Sequence, residues 1–151
     1  MDSVTKKLFW REEYMTGIAE IDDQHKILVH ALNEASEKLT GDFHLSTMEK
    51  IVNDLLSYAI YHFETEEELM EEYGYEMESD EAYRTHLKQH RSFSSRVVEI
   101  HEGLKIGTPV PAVQLLDFLN QWLVNHILNT DKKLGAHILA KQQQANQQQA
   151  E

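Results

Sequence analysis

Cysteine is absent from this sequence of 151 residues. Disulfide bonds and thiolate metal sites are therefore excluded, and so are iron–sulfur clusters and classical zinc fingers, which need cysteine ligands. A transition-metal site in this chain must use nitrogen and oxygen ligands, which leaves non-haem iron, manganese and zinc as candidates. The length suits one domain with a real hydrophobic core.

Basic residues are few relative to acidic ones. The sequence has 14 Lys and Arg against 26 Asp and Glu, and its net charge is -12. Nucleic acids and anionic membrane surfaces both need a basic face, so neither is an expected partner. No stretch approaches the roughly 18 apolar residues of a membrane span, and the N-terminus has no apolar run of signal-peptide length. We expect a cytoplasmic protein, and a monomer because its exposed faces are charged.

Helical periodicity dominates the sequence, and no strand-like alternation is sustained. An N-terminal arm with Phe9, Trp10 and Tyr14 precedes four stretches in which apolar residues recur at helical spacing. Short connections favour antiparallel neighbours, so we expect an all-α, up-down-up-down antiparallel four-helix bundle within residues 1–140. Residues 141–151 (KQQQANQQQAE) have no apolar stripe and are expected to form a polar, mobile tail, helical only at its start. The predicted helices cover residues 21–39, 45–73, 80–104 and 111–140.

Ionisable side chains interrupt the apolar seams of all four helices. A charge buried without a partner is costly or shifts its pKa until it is neutral, so a plain bundle would be badly destabilised by such residues. A metal site removes the difficulty because the ions bind the lone pairs. The residues concerned are His25, His62, Glu66, His86, His90 and His126, with Asp131 beside the last seam.

These side chains also share one depth in the predicted bundle. Those of the first and third helices come early, and those of the second and fourth come late. In an antiparallel bundle the starts of two helices lie beside the ends of the other two. All seven groups are therefore expected in one layer.

The spacing within each helix supports a shared site. Two pairs are separated by four residues and share one helix face. His126 and Asp131 are separated by five, which turns Asp131 about 100° beyond the i+4 position of a regular α-helix. Asp131 must then reach sideways, which suits a bridge between two ions, unless the helix is locally distorted. The i, i+4 pairs are His62/Glu66 and His86/His90.

The motifs around these residues resemble those of the hemerythrin family, specifically the single-domain bacterial hemerythrins. All of them occur in the family's order, and the resemblance covers about residues 8–139. The resemblance implies the up-down-up-down bundle that is also the fold of myohemerythrin. The matching motifs are IDDQH at 21–25, HFETEE at 62–67, HLKQH at 86–90 and WLVNHILNTD at 122–131.

The resemblance implies two iron ions (Fe2+/Fe3+) joined by an oxo or hydroxo group, with dioxygen as a reversible ligand and no enzymatic turnover. One iron would have three histidine ligands and no open position, and the other would have two histidines and one open position for dioxygen. The implied ligands are His86, His90 and His126 for the first iron and His25 and His62 for the second, with Glu66 and Asp131 as bridges.

Apolar neighbours of the ligands are expected to line the dioxygen pocket. A dry pocket would slow the autoxidation that water assists. Each of these neighbours could equally be an ordinary core residue. The candidates are Leu28, Phe63, Trp122, Ile127 and Leu128.

Two other functions stay open alongside oxygen storage, transport or delivery to an oxygen-consuming enzyme. One is a di-iron oxidase or peroxidase, but ferritin-like oxidases use Glu-x-x-His pairs, and no histidine here has a glutamate three residues before it. The other is an oxygen or iron sensor that acts through a separate partner.

Overall fold

A computed structural model of the protein describes residues 8–150, with side chains as far as Gln147. All regular secondary structure in this range is helical. Within it, no helix is long and apolar enough to span a membrane. A 3-10 turn at Glu12–Tyr14 is followed by α1 (Ala19–Lys38), α2 (Leu45–Glu72), α3 (Tyr75–Glu78), α4 (Asp80–Lys105), α5 (Ala112–Asn125), a π-helix (His126–Asp131) and α6 (Lys132–Ala150).

The long helices form the expected antiparallel four-helix bundle, with α5, the π-helix and α6 as its continuous fourth member. Early in α1, Gln24 donates a hydrogen bond of 3.1 Å to Thr65, which lies late in α2. Early in α4, Gln89 accepts one of 2.6 Å from Thr130, which lies at the end of the π-helix. Each contact joins the start of one helix to a late part of another, as antiparallel packing requires.

The starts of the four predicted helices agree with the structure to within two residues. The short helix α3 has no counterpart in the sequence prediction. It exists because Gly74, with φ of 64°, adopts the left-handed conformation that ends α2. The chain then turns so that Tyr75 is buried, with 3% of its surface exposed.

The C-terminal helix is longer than predicted. The expectation that residues 141–151 are helical only at their start is wrong for 141–150, because α6 continues to Ala150. Glutamine and alanine are favourable in helices, and no glycine or proline follows Gly135. Two side chains of this segment also contact the end of α2 and α3: Lys141 pairs with Glu78, and Gln142 donates to the Tyr73 hydroxyl at 3.2 Å. The mobility of this segment stays a prediction.

The hydrophobic core consists of two clusters. The larger cluster extends through α1, α2, α4 and α5 and includes Leu32, Leu55 and Phe93. The smaller one joins the start of α1, the end of α2 and α6. In α1, His25 lies between Ile21 of the smaller cluster and Leu28 of the larger one. The layer of polar residues that includes His25 thus lies between two apolar clusters, where water has little access.

The N-terminal arm is attached to α1 by a buried carboxylate. Asp22 accepts hydrogen bonds from the backbone N–H and hydroxyl of Thr16, both at 2.8 Å, and from the N–H of Gly17 at 3.1 Å. The arm also lies close to α6, because a Cβ atom on Gly135 would be only 2.8 Å from the Thr16 carbonyl oxygen. Asp22 therefore holds the arm where α6 can pack on it.

We predict that Asp22→Ala lowers the free energy of unfolding by about 1–3 kcal/mol, because buried donors of Thr16 lose their acceptor. Urea denaturation followed by circular dichroism measures this change. Asp23→Ala is the matched control, since Asp23 is exposed in the same turn of α1 and carries the same charge. Equal losses in the two variants would contradict the anchoring role.

Candidate metal centre

All seven ionisable residues predicted for the site lie together in the bundle interior. None has more than 3% of its surface exposed. They form two groups in which one nitrogen or oxygen atom of each residue lies within 4.8 Å of the others. The first is Glu66 with His86, His90 and His126, called here the three-histidine group; the second is Glu66 and Asp131 with His25 and His62, called the two-histidine group.

Glu66 belongs to both groups because its two oxygens point in different directions. Oε1 faces the three-histidine group, and Oε2 faces the two-histidine group. From Oε1 the distances to Nε2 are 3.2 Å for His86, 3.0 Å for His90 and 3.6 Å for His126, and from Oε2 they are 3.3 Å for His62 and 3.6 Å for His25.

Asp131 spans the groups in the same way. Its Oδ1 lies 3.0 Å from Nε2 of His126 and 3.2 Å from Nε2 of His86. Its Oδ2 lies 2.7 Å from Nε2 of His25. Both carboxylates therefore present one oxygen to each group, which is the arrangement that two bridged cations require.

The π-helix explains how Asp131 reaches the site. The sequence spacing required a sideways reach in a regular α-helix, and the structure instead has a local distortion over His126–Asp131. A π-helix forms i to i+5 hydrogen bonds, so a residue five positions along returns towards the same face. His126 and Asp131 are therefore neighbours, and the i, i+5 spacing was the sequence signal of the distortion.

Several buried atoms that face the centre of the site lie close to one another but make no well-aligned hydrogen bond within the described part of the chain. Buried polar atoms in proteins are nearly always paired, so a cluster of unpaired ones needs another explanation. All of them carry lone pairs, and imidazole nitrogen and carboxylate oxygen are suitable ligands for iron. The residues fit a pair of metal ions. The atoms are Nε2 of His25, His62 and His126, Oε2 of Glu66, and Oδ1 and Oδ2 of Asp131.

The electrostatics of the site favour ionised carboxylates. Burial lowers the pKa of His25, but Asp131 and Glu66 outweigh it and raise this pKa to about 10. Burial likewise opposes charge on His86, yet the same two carboxylates raise its pKa to about 9. Burial raises the pKa of Glu66, but His62 and the other histidines hold it well below its usual range. The carboxylates thus demand positive charge, which bound cations supply in place of protons.

Hydrogen bonds outside the site fix the orientation of His62. Its Nδ1 lies 2.7 Å from the Gln24 side-chain oxygen. The Gln24 amide nitrogen donates to the Thr65 hydroxyl, which donates to the Tyr61 carbonyl. Gln24 can therefore only accept at its oxygen, so His62 Nδ1 donates and the Nε2 lone pair faces the site.

Two further histidines have comparable partners. Nδ1 of His126 lies 2.7 Å from the oxygen of Gln89, which also accepts from Thr130. Nδ1 of His90 lies 2.9 Å from Oε2 of Glu67. Gln24, Gln89 and Glu67 were not predicted as site residues from the sequence. Each of them adjoins a predicted site residue or lies within a site motif, which was the available signal.

Aromatic rings pack directly on the histidine layer. Phe63 stacks on His90 with ring centroids 4.0 Å apart, and Trp122 stacks on His126 at 4.4 Å. Both aromatic rings also line a small apolar cavity of about 30 Å³. The cavity lies beside the site, and its lining is Leu28, Leu32, Leu55, Ala59, Phe63, Phe93, Leu119, Trp122 and Leu123.

Two of the five predicted pocket residues do not line this cavity. Ile127 is 1% exposed and belongs to the larger hydrophobic cluster, and Leu128 packs against that cluster. Leu28, Phe63 and Trp122 do line the cavity. Closeness to a site residue in the sequence does not determine which side of the helix a residue occupies, and residues 127 and 128 lie within the π-helix.

Comparison with known proteins identifies relatives in sequence. Residues 16–138 match the hemerythrin HHE cation binding domain. A bacteriohemerythrin of Pseudomonas aeruginosa is 36% identical over 124 residues, which is 82% of this chain and 76% of that protein. One of Clostridium acetobutylicum is 29% identical over 128 residues, covering 82% of this chain and 95% of that protein.

A solved structure of a wild-type hemerythrin agrees in fold, with a TM-score of 0.79 and 25% identity over 88% of this chain and 98% of the other. The matched family segment contains both ligand groups, the π-helix and the three outer hydrogen-bond partners. The chain therefore belongs to the hemerythrin family.

Proposed function

We propose that this protein binds dioxygen reversibly at a non-haem di-iron centre, for oxygen storage, transport or delivery, and has no enzymatic activity. The observation that carries the proposal is a pair of buried groups, one with three histidines and one with two, that share Glu66 and both face Asp131. In this proposal the three-histidine group holds one iron and the two-histidine group holds the other. Glu66 and Asp131 would each hold both irons, together with a solvent-derived oxo or hydroxo group.

The difference of one histidine creates the place for dioxygen. With Glu66 and Asp131 facing both groups, an ion at His25 and His62 would receive one protein ligand fewer than an ion at the three-histidine group, which would leave a position for an external ligand. When bound, the iron pair supplies the electrons that hold dioxygen reversibly. The protein itself keeps the histidines in place through their outer hydrogen bonds and keeps water from the site through the apolar cavity.

The ligand set also favours a carrier over an oxidase. Ferritin-like di-iron oxidases hold their metals with Glu-x-x-His motifs and further glutamates. Here five histidines accompany only two carboxylates, so the ligands carry less negative charge. We propose that this composition favours reversible binding over oxygen activation.

The proposal also covers the partners, the oligomeric state and the cellular location of the protein. The net charge of -12 disfavours nucleic acids and anionic membranes as partners. We propose a cytoplasmic monomer that delivers dioxygen to an oxygen-consuming enzyme.

We predict about two irons per chain in the purified protein. His62→Ala and Glu66→Ala should each lose iron and unfold at lower denaturant concentration, because metal binding is linked to folding. Elemental analysis and urea denaturation measure both effects. His30→Ala is the control, since the His30 side chain is 77% exposed and outside the site. Zinc in the wild-type protein, or full iron occupancy in both site variants, would contradict the proposal.

Reversibility has its own spectroscopic signature. After reduction and exposure to air, the protein should gain visible charge-transfer absorption, and degassing should remove it. This cycle is expected because a carrier binds and releases dioxygen without passing it to an organic substrate, so the site returns to its reduced state. Prompt conversion to the diferric state, with no recovery on degassing, would instead support an oxidase or a sensor.

We predict that Leu28→Asn accelerates autoxidation, because a polar side chain lets water into the cavity next to the site. The decay of the oxygenated spectrum gives the rate. Leu104→Asn is the matched control: both leucines are 8% exposed and belong to the larger cluster, but Leu104 does not line the cavity. If the two variants autoxidise equally fast, general destabilisation is the cause and the cavity has no special role.

A further inference from the structure

The outer hydrogen bonds of the site differ in charge. His62 and His126 each lie 2.7 Å from a neutral amide oxygen, those of Gln24 and Gln89. His90 instead lies 2.9 Å from the carboxylate of Glu67. Among the described residues, Glu67 is thus the one carboxylate partner on the outer side of the site histidines.

Glu67 occupies an unusual position for this role. Its side chain is 44% exposed, whereas that of His90 is only 3% exposed. It is among the residues that line an acidic surface groove of about 610 Å³. A glutamate in such a groove is ordinarily solvated, but this one extends to a buried ring. The other glutamates of the groove are Glu64, Glu68, Glu71 and Glu76.

The contact has a definite hydrogen-bond direction. An ionised carboxylate can only accept, so Nδ1 of His90 donates to Glu67. The lone pair on Nε2 then faces the site, where Glu66 Oε1 lies 3.0 Å away. Phe63 stacks on the ring with 14° between the planes. The stacking fixes the plane of the ring, and Glu67 fixes the direction in which the ring points within that plane.

The charge has an electronic consequence as well. Hydrogen bonds to ionised acceptors are about twice as strong as neutral ones. A carboxylate on the outer nitrogen of a ligating histidine raises the basicity of that ligand. An imidazole that donates more electron density stabilises a ferric ion more than a ferrous one, because the ferric ion carries more positive charge.

We propose that Glu67 is a positioning residue that orients His90 and strengthens it as an electron donor, so that the three-histidine group favours the more oxidised ion. This inference rests on the proposed di-iron function. It makes the two ligand groups unequal in electron donation as well as in the number of histidines.

Two substitutions separate charge from orientation. Glu67→Gln removes the charge but keeps an oxygen that can accept from Nδ1, so it should retain two irons and shift the midpoint potential to a more positive value. Glu67→Ala removes the acceptor too, and iron affinity in competition with a chelator should fall about 10- to 100-fold. Glu68→Gln is the matched control, because it removes the same charge from the same groove without touching a histidine.

The inference is supported if Glu67→Gln shifts the potential and Glu68→Gln does not. Equal shifts in the two variants would overturn the electronic part, since the groove charge would then act only through space. No shift in either variant would also overturn it, because the charge of Glu67 would then have no effect on the potential. Wild-type affinity in Glu67→Ala would overturn the positioning part.

Zinc affinity provides a measurement that does not depend on iron. His90 should bind Zn²⁺ through the same nitrogen, so Glu67→Ala should weaken zinc binding about 10- to 100-fold relative to Glu67→Gln and the wild type. A wild-type protein that binds zinc but no redox-active iron would refute the proposed function, and the zinc series would still test Glu67. If all variants bind zinc equally, Glu67 does not position His90.

Discussion

Two carboxylates, Glu66 and Asp131, lie in the interior with no exposed surface, and five imidazoles face them. Burying such groups together is costly, because each ionised side chain loses its hydration. Their mutual attraction offsets the cost only in part, since atoms that face the centre make no well-aligned hydrogen bond within the described chain. The layer fits bound cations that would complete it, and under the proposed function metal binding would be part of the folding energy.

The rest of the architecture maintains that layer. Apolar clusters above and below the histidines exclude water, which strengthens every electrostatic interaction between them. Phe63 and Trp122 stack on the rings of His90 and His126, and so limit their rotation. Gln24, Gln89 and Glu67 fix the outer nitrogens. The geometry of the site thus arises from contacts with residues outside the two groups.

The features that the sequence predicts correctly are those that follow from helical periodicity. An i, i+4 pair such as His62 and Glu66 shares a face in any regular α-helix, so its placement followed from spacing. The starts and ends of α1, α2 and α4 were predicted for the same reason, since apolar repeats and glycines mark them. The full length of α6 was not predicted, because its glutamine-rich end has no apolar stripe that would indicate a helix. The intrinsic helix propensity of this segment is nevertheless adequate.

The sequence by itself determined the all-α class, the antiparallel order of the helices and the seven polar residues of the layer, because these depend on local periodicity and on the position of each residue along its helix. Only the tertiary structure decided how the carboxylate oxygens divide between the two groups. It also decided that a π-helix turns Asp131 inward, that Ile127 and Leu128 lie outside the cavity lining, and that Glu67 contacts His90. These features depend on which side chains of neighbouring helices contact each other, and the residue spacing within one helix does not determine that.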